Sequence, residues 1–359
     1  MFGSEFTPDF QSIVGQQRPK RILHKFLKRD RIPHALLFSG PDGLGKLATA
    51  LLFAMRCNCG GLVPEDGISS EQAAGKGEIC KSGHDLSPCS NCPSCRKIRS
   101  GSHPDVILIK PSGATIKIGQ IREVIGILTR KPYEARQRFV IIANAHLMTP
   151  ESANSLLKIL EEPPNQTMIV LTVSHPLDLL PTITSRCQHI RFCPVPKHEL
   201  EEHLVENEGV SPAEAAILSA MSEGSSGQAV EMLHSGWLDR RRWLLAFFDG
   251  SRPEASLPKT ANHLLGLSES LARDKAHLHE ALAVVKSWFR DLLIAGSYPE
   301  GIVNQDYIEQ IRSRSPGYDA QTLLEDVSAI QTVEKQIQKN ANSRLLTDIL
   351  MMRLAEYMA

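Results

Sequence analysis

Through the first half of the chain, short apolar runs alternate with amphipathic stretches. Residues 35–38, 107–109, 139–143 and 168–172 are nearly continuous runs of apolar and β-branched side chains. Such runs, without polar alternation, predict strands covered on both faces. Between them, residues 118–129 and 153–162 carry apolar side chains at helical spacing, and a further helix is expected from the loop after residue 38 through Arg56. In the stretch 153–162, Ala153, Leu156, Leu157 and Leu160 share one face, and Pro163 and Pro164 end it. This alternation predicts an α/β domain with a mainly parallel sheet. Beyond Pro194 and Pro196 the strand pattern disappears. Residues 195–236 read as a small helical domain, and 237–359 as a larger all-helical one in which Leu278, Leu282, Val285, Phe289 and Leu292 recur at helical spacing. The expected domains are therefore 1–194, 195–236 and 237–359. Residues 57–79 are Gly-rich and polar and read as a loop insertion.

Composition narrows the partners. The 359 residues carry 40 basic and 40 acidic side chains, so any contact with nucleic acid must rest on a local patch. The apolar runs are too short to span a bilayer, and no membrane partner is expected. The opening MFGSEFTPDF has acids and no hydrophobic stretch, so it does not read as a signal peptide. A cytoplasmic location is expected, where thiols stay reduced and clustered cysteines bind metal.

Two patterns carry chemistry. From Gly40 the chain reads GPDGLGK, the spacing of a phosphate-binding loop, with Gly40, Gly43 and Gly45 as the backbone cradle and Lys46 as the charged contact. Position 47, where Ser or Thr would hold Mg²⁺, is Leu47. The strand that carries the acidic pair in P-loop ATPases reads FVIIANAH over 139–146, with Ala143 and Asn144 in the acidic positions. Paired loss of hydroxyl and carboxylates predicts a vestigial cradle, compatible with ATP but unable to hydrolyse it; an ordinary strand-to-helix turn is the alternative. The second pattern is Cys80, Cys89, Cys92 and Cys95, whose two successive C-x-x-C steps predict a structural Zn²⁺ site in a module spanning 80–95. Cys57 and Cys59, just upstream, are alternatives to Cys80 as the first ligand.

Several stretches together resemble the delta-prime clamp-loader subunits of bacterial DNA polymerase III, members of the AAA+ superfamily. They are IVGQQRPKRIL (13–23), RIPHALLFSGPDGLGK (31–46), GSHPD (101–105), IKIGQIREV (116–124), NSLLKILEEPP (154–164), LLPTITSRCQHI (179–190), WFRDLL (288–293) and KNANSRLL (339–346). The resemblance implies an AAA+ P-loop domain bearing a zinc module, a helical lid and a helical collar. It implies a non-catalytic stator in a five-subunit ring with gamma/tau and delta subunits, which loads the sliding clamp onto primer–template DNA. It also implies that Arg186, in the triplet Ser185, Arg186, Cys187, is an arginine finger serving the neighbouring subunit's ATP; a local ion pair is the alternative role. Gln228, in GSSGQAV (224–230), stands where active relatives carry a phosphate-sensing arginine. The rival functions are an active gamma/tau-type ATPase, which Leu47, Ala143 and Asn144 oppose, and a zinc-dependent DNA-binding regulator, which the zero net charge opposes.

Three further features have simpler expectations. Arg18, Arg21, Lys25 and Lys28 form a basic stripe opposite Ile22, Leu23, Phe26 and Leu27, which reads as a solvated helix face with phosphate contact as the alternative. His146 reads as a packing residue at a strand end. Met351, Met352 and Leu354 read as helix-packing residues.

Overall fold

Five parallel strands form one sheet in the order β2-β3-β4-β1-β5, where β1 is Ala35–Ser39, β2 Val106–Ile109, β3 Arg138–Ile142, β4 Thr167–Val173 and β5 Gln188–Arg191. This computed structural model describes residues 10, 12–29, 32–60, 87–248, 268–269, 271, 275–339, 341–354 and 357. The chain divides into two compact units, one of Met1–Leu200 with Gly224–Gln228 and one of Glu201–Glu223 with Ala229–Ala359.

Every residue of β1, β3 and β4 is buried, which is why their sequences are apolar without alternation. Successive side chains point to opposite faces, so the sheet has two cores. Leu36, Phe38, Phe139, Ile141 and Val170 face α2 (Lys46–Asn58), α3 (Pro93–Ser100) and α1 (Gln17–Arg29). Leu37, Val140, Ile142, Ile169 and Leu171 face α4 (Ile118–Leu128) and α5 (Pro150–Glu161). The expected α/β class with a parallel sheet is thus the observed one.

Local chemistry sets the helix ends. The stretch expected to begin at Ala153 starts three residues earlier, because Thr149 caps the N–H of Ser152 and Pro150 occupies the first turn. Strand β5 has no counterpart in the sequence reading. It is an edge strand in which Ile190 is the buried residue, so there is no apolar run to betray it.

After the short α6 (Pro181–Thr184) and β5, the elements among the described residues are all helices: α7 (Lys197–Glu208), α8 (Pro212–Met221), α9 (Ser226–His234), α10 (Trp237–Leu245), α11 (Lys275–Ile294), α12 (Ile308–Arg314), α13 (Ala320–Gln338) and α14 (Ser343–Leu354), beside short 3-10 turns. α11 buries Leu278, Leu282, Val285, Phe289 and Leu292, as their spacing predicts, and packs against α13 and α10. Buried Arg241 of α10 is matched by Asp306 at 2.8 Å and by Asn304 Oδ1 at 2.6 Å. Met351 and Leu354 are buried in α14, whereas Met352 is exposed. Among the described residues no helix is long and apolar enough to cross a membrane.

Candidate functional site

Residues 40–46 leave the carboxyl end of β1, where a buried strand hydrogen-bonded on both sides holds the turn in place. Gly40, Gly43 and Gly45 all have positive φ, at 143°, 75° and 80°. Close backbone approach adds to that demand, since a Cβ at Gly40 would overlap the Phe192 carbonyl and one at Gly43 would overlap Ser225 Oγ. Gly45 leads directly into α2, giving the strand, glycine loop and helix of a phosphate cradle.

The Lys46 ammonium is held within the loop. Its side chain is 6% exposed, and its ammonium donates to the carbonyls of Gly40 and Pro41, the latter at 2.7 Å. It pairs with Asp42 Oδ1 at 3.1 Å, and the Ser174 hydroxyl donates to the same carboxylate oxygen at 3.2 Å. Burial pulls the Lys46 pKa below its ordinary value, with Asp42 opposing the shift. Residues 224–228 close over the same loop. Ser225 Oγ donates to the Asp42 carbonyl at 2.9 Å, and the Gly227 N–H donates to the Gly43 carbonyl at 2.9 Å. Gln228 lies in this strap and donates its N–H to Ser225 Oγ at 3.3 Å.

Leu47, Ala143 and Asn144 stand where the sequence reading looks for magnesium contacts. Leu47 packs against the core on one side of the sheet. Ala143 is buried at the end of β3, and Asn144 turns away at φ 53° while its N–H donates to Thr172 Oγ1 at 3.1 Å. His146 is half-buried in the single turn that follows.

Arg186 follows α6. Its Nη1 donates to the Thr182 carbonyl at 2.8 Å and its Nη2 to Glu161 Oε1 at 2.7 Å. Its side chain is 35% exposed and that of Glu161, the last residue of α5, is 52% exposed. An ion pair was the alternative role expected for Arg186, but the sequence did not name its partner, because Glu161 stands 25 positions away. Two of the five guanidinium donors are engaged, leaving the rest of the fork for an anion.

Four sulfurs converge on one point. The Sγ atoms of Cys59, Cys89, Cys92 and Cys95 all lie within 4.8 Å of one another. That spacing fits tetrahedral thiolate ligation of Zn²⁺ at about 2.3 Å per bond. Backbone N–H groups of Gly60, Cys89, Cys92 and Cys95 point at the sulfurs of Cys92, Cys59, Cys89 and Cys92, each at 3.4 Å. Burial works against the Cys92 thiolate, but the N–H groups of Cys95 and Gly60 outweigh it and pull the pKa down. Cys95 is pushed up by its hydrogen bond to Cys59 and by burial, a penalty that a bound cation reverses. Cys59, which follows the end of α2, completes this cluster beside α3. Cys80, the first ligand expected from spacing, lies outside the described residues. Cys57 is half-buried, with its pKa raised to about 12 by burial, and it is not among the four.

Comparison with known proteins adds three kinds of finding. A family model described as "DNA polymerase III, delta subunit" matches residues 15–196, and one described as "DNA polymerase III, delta subunit, C terminal" matches residues 254–356. DNA polymerase III subunit delta' of Bacillus subtilis is 30% identical over 347 residues, covering 95% of this chain and 96% of the relative. DNA polymerase III subunit tau of Escherichia coli is 32% identical over 229 residues, covering 62% of this chain and 32% of the relative's own length. Among solved structures, a gamma-subunit-related protein of Thermotoga maritima covers 96% of this chain and all of its own, at 17% identity and a TM-score of 0.42.

Proposed function

We propose, from the premise that this chain belongs to the delta-prime family of DNA polymerase III subunits, that it is the stator of a clamp loader whose own nucleotide site does no chemistry. One observation carries this reading. The cradle keeps Gly40, Gly43, Gly45 and Lys46, yet Leu47 replaces the magnesium hydroxyl, Ala143 and Asn144 replace the carboxylates, and Asp42 already neutralises Lys46. A nucleotide entering this loop must displace the Asp42 carboxylate and would still find no magnesium ligands.

Arg186 is then the residue that acts on ATP, but on ATP held by the adjacent gamma/tau subunit. Guanidinium stays charged at all working pH values and meets phosphate oxygens with paired hydrogen bonds. Glu161 holds it at the protein surface until a stronger anion arrives. Charge supplied in trans at the transition state accelerates hydrolysis by several powers of ten. The ring's other partners on this reading are the delta subunit, the sliding clamp and primer–template DNA, with the complex working in the cytoplasm.

Zinc belongs on Cys59, Cys89, Cys92 and Cys95. Four thiolates leave no open position for water, so the metal would serve structure alone, tying the end of α2 to α3.

The test is reconstitution with the other subunits. A stable ring with ATPase activity is expected, alongside no magnesium-dependent turnover by this chain alone. Turnover by the isolated chain would overturn the inert site in favour of an active gamma/tau-type motor.

A further inference from the structure

Between α10 and α11 lies a cavity of 510 Å³. Trp237 and Leu244 stand seven positions apart on α10, and Ala281 and Val284 stand three apart on α11, so each helix turns one apolar face toward it. Trp237, Leu244 and Val284 are buried, whereas Trp243 is 40% exposed and brings the wall out to the protein surface. Pockets that take small molecules run from about 300 to about 1,000 Å³, and this one falls among them. Protein interiors close most voids larger than a water molecule. Here the small side chain of Ala281 stands on the wall, where a larger apolar residue would narrow the space.

The carboxylates and guanidiniums of the wall are matched within the protein. Arg240 Nη2 donates to Glu280 Oε2 at 2.7 Å and ties α10 to α11. Asp239 accepts from Arg242 Nη2 at 2.8 Å. Arg241 gives Nη1 and Nη2 to Asp306, each at 2.8 Å, and Nη2 also to Asn304 Oδ1. One polar atom is left over. Arg241 is 2% exposed, and its Nε–H has no hydrogen-bond partner among the described residues. Because Asp306 and Asn304 fix the guanidinium, it cannot turn to find another acceptor. A buried donor in that state calls for a partner from outside the chain.

We infer that this cavity binds a small, uncharged aromatic molecule that carries one acceptor oxygen. The apolar wall takes its rings, and the indoles of Trp237 and Trp243 offer the flat and edge-on contacts that aromatic groups prefer. The oxygen accepts from Arg241 Nε–H. An anionic ligand fits poorly, because Asp306 already neutralises Arg241 and Glu280 already neutralises Arg240. A partner protein fits poorly too, since Arg241 is a buried residue that a small molecule reaches more readily than a folded surface does. The site shares no residue with the phosphate loop, Arg186 or the cysteine cluster, and it stands or falls apart from the stator reading.

The test uses benzophenone, an uncharged aromatic ketone that labels nearby C–H bonds under near-ultraviolet light. The full chain is irradiated over a range of ketone concentrations, and the labelled peptides are mapped and quantified by mass spectrometry. Saturable labelling of the peptides that carry residues 237–244 and 277–284 is expected. Diphenylmethane has the same two rings without the oxygen, and as a competitor it should bind at least about tenfold more weakly than benzophenone itself. Ala281→Trp, which fills the cavity, should raise the half-saturating concentration more than about tenfold. Because a large side chain can disturb the packing of α10 on α11, Trp243→Ala is measured as well, and it should weaken labelling about tenfold. Three outcomes overturn the inference: no saturable labelling of either helix in the wild-type chain, equal competition by diphenylmethane and benzophenone, or wild-type labelling in Trp243→Ala and Ala281→Trp.

Discussion

Arg186 Nη2 donates to Glu161 Oε1 across 2.7 Å, tying the second residue after α6 to the last residue of α5. Both side chains are substantially solvated, at 35% and 52% exposure, so the pair contributes at most about 1 kcal/mol to folding. Arg186→Ala should therefore leave the Tm within a few degrees of wild type and leave ring assembly intact. ATP turnover at the adjacent subunit's site should fall by about 10³-fold or more in single-turnover assays of the reconstituted complex. Unchanged turnover would remove the finger assignment and leave Arg186 as a local ion-pair residue.

The sulfur cluster makes a sharper prediction than the spacing of its cysteines. Metal analysis of reduced protein should give one zinc per chain. Cys59→Ser should lose that zinc and lower the Tm, whereas Cys80→Ser should keep it. Native mass spectrometry separates the two variants directly, and zinc loss in Cys80→Ser with retention in Cys59→Ser would reverse the ligand assignment.

The strap over the phosphate loop is testable through one glycine. Gly43→Ala places a side chain at φ 75°, where Ser225 Oγ already stands. The backbone conformation alone should cost about 1–2 kcal/mol. Ser225→Ala in the Gly43→Ala background should recover part of the loss by removing the overlapping hydroxyl. Denaturant midpoints of the four proteins in that cycle give the coupling, and strict additivity would show that residues 224–228 do not rest on the loop.

A buried ion pair at the start of β3 predicts the acid response. Asp105 accepts from the N–H groups of Tyr133, Glu134 and Ala135 at 2.8 to 2.9 Å and from Arg138 Nη2 at 3.1 Å. Burial pushes its pKa up, but those N–H donors and the guanidinium outweigh it and hold the carboxyl below 3.8. A carboxylate with a depressed folded pKa adds stability that is complete above the unfolded value and is lost as pH falls through the folded one. The contribution of Asp105 should thus be full above pH 3.8 and fade below it. Asp105→Ala should cost about 3–5 kcal/mol at neutral pH, because it strands Arg138 in the interior. Equilibrium unfolding across pH checks both statements, and a variant as stable as wild type at neutral pH would refute them.

Much of the fold was legible because its causes are local. The apolar runs at 35–38, 139–143 and 168–172 became β1, β3 and β4 since a strand buried on both faces has no polar positions to alternate. The glycine spacing of the loop was equally readable, because positive φ and close backbone contact leave few other residues able to stand at Gly40, Gly43 and Gly45. Strand β5 was not legible, since three of its four residues are exposed and only pairing with β1 makes it a strand. The spacing pointed to Cys80 as the fourth cysteine, whereas the path of α2 places Cys59 beside Cys89, Cys92 and Cys95, a proximity that spacing does not encode.

By itself, then, the sequence determined the alternation of strands and helices, the phosphate-loop spacing and the presence of Leu47, Ala143 and Asn144 where hydroxyl and carboxylate side chains were sought. Those are properties of neighbouring residues, set by backbone conformation and side-chain type. Tertiary structure alone decided that Asp42 and the strap from Ser225 to Gly227 engage the loop, that Glu161 holds Arg186, and that the cations of α1 face outward. Each of these depends on which surfaces chain folding turns inward. Burial and hydrogen bonding between segments as far apart as 183 positions leave no periodic mark on the chain.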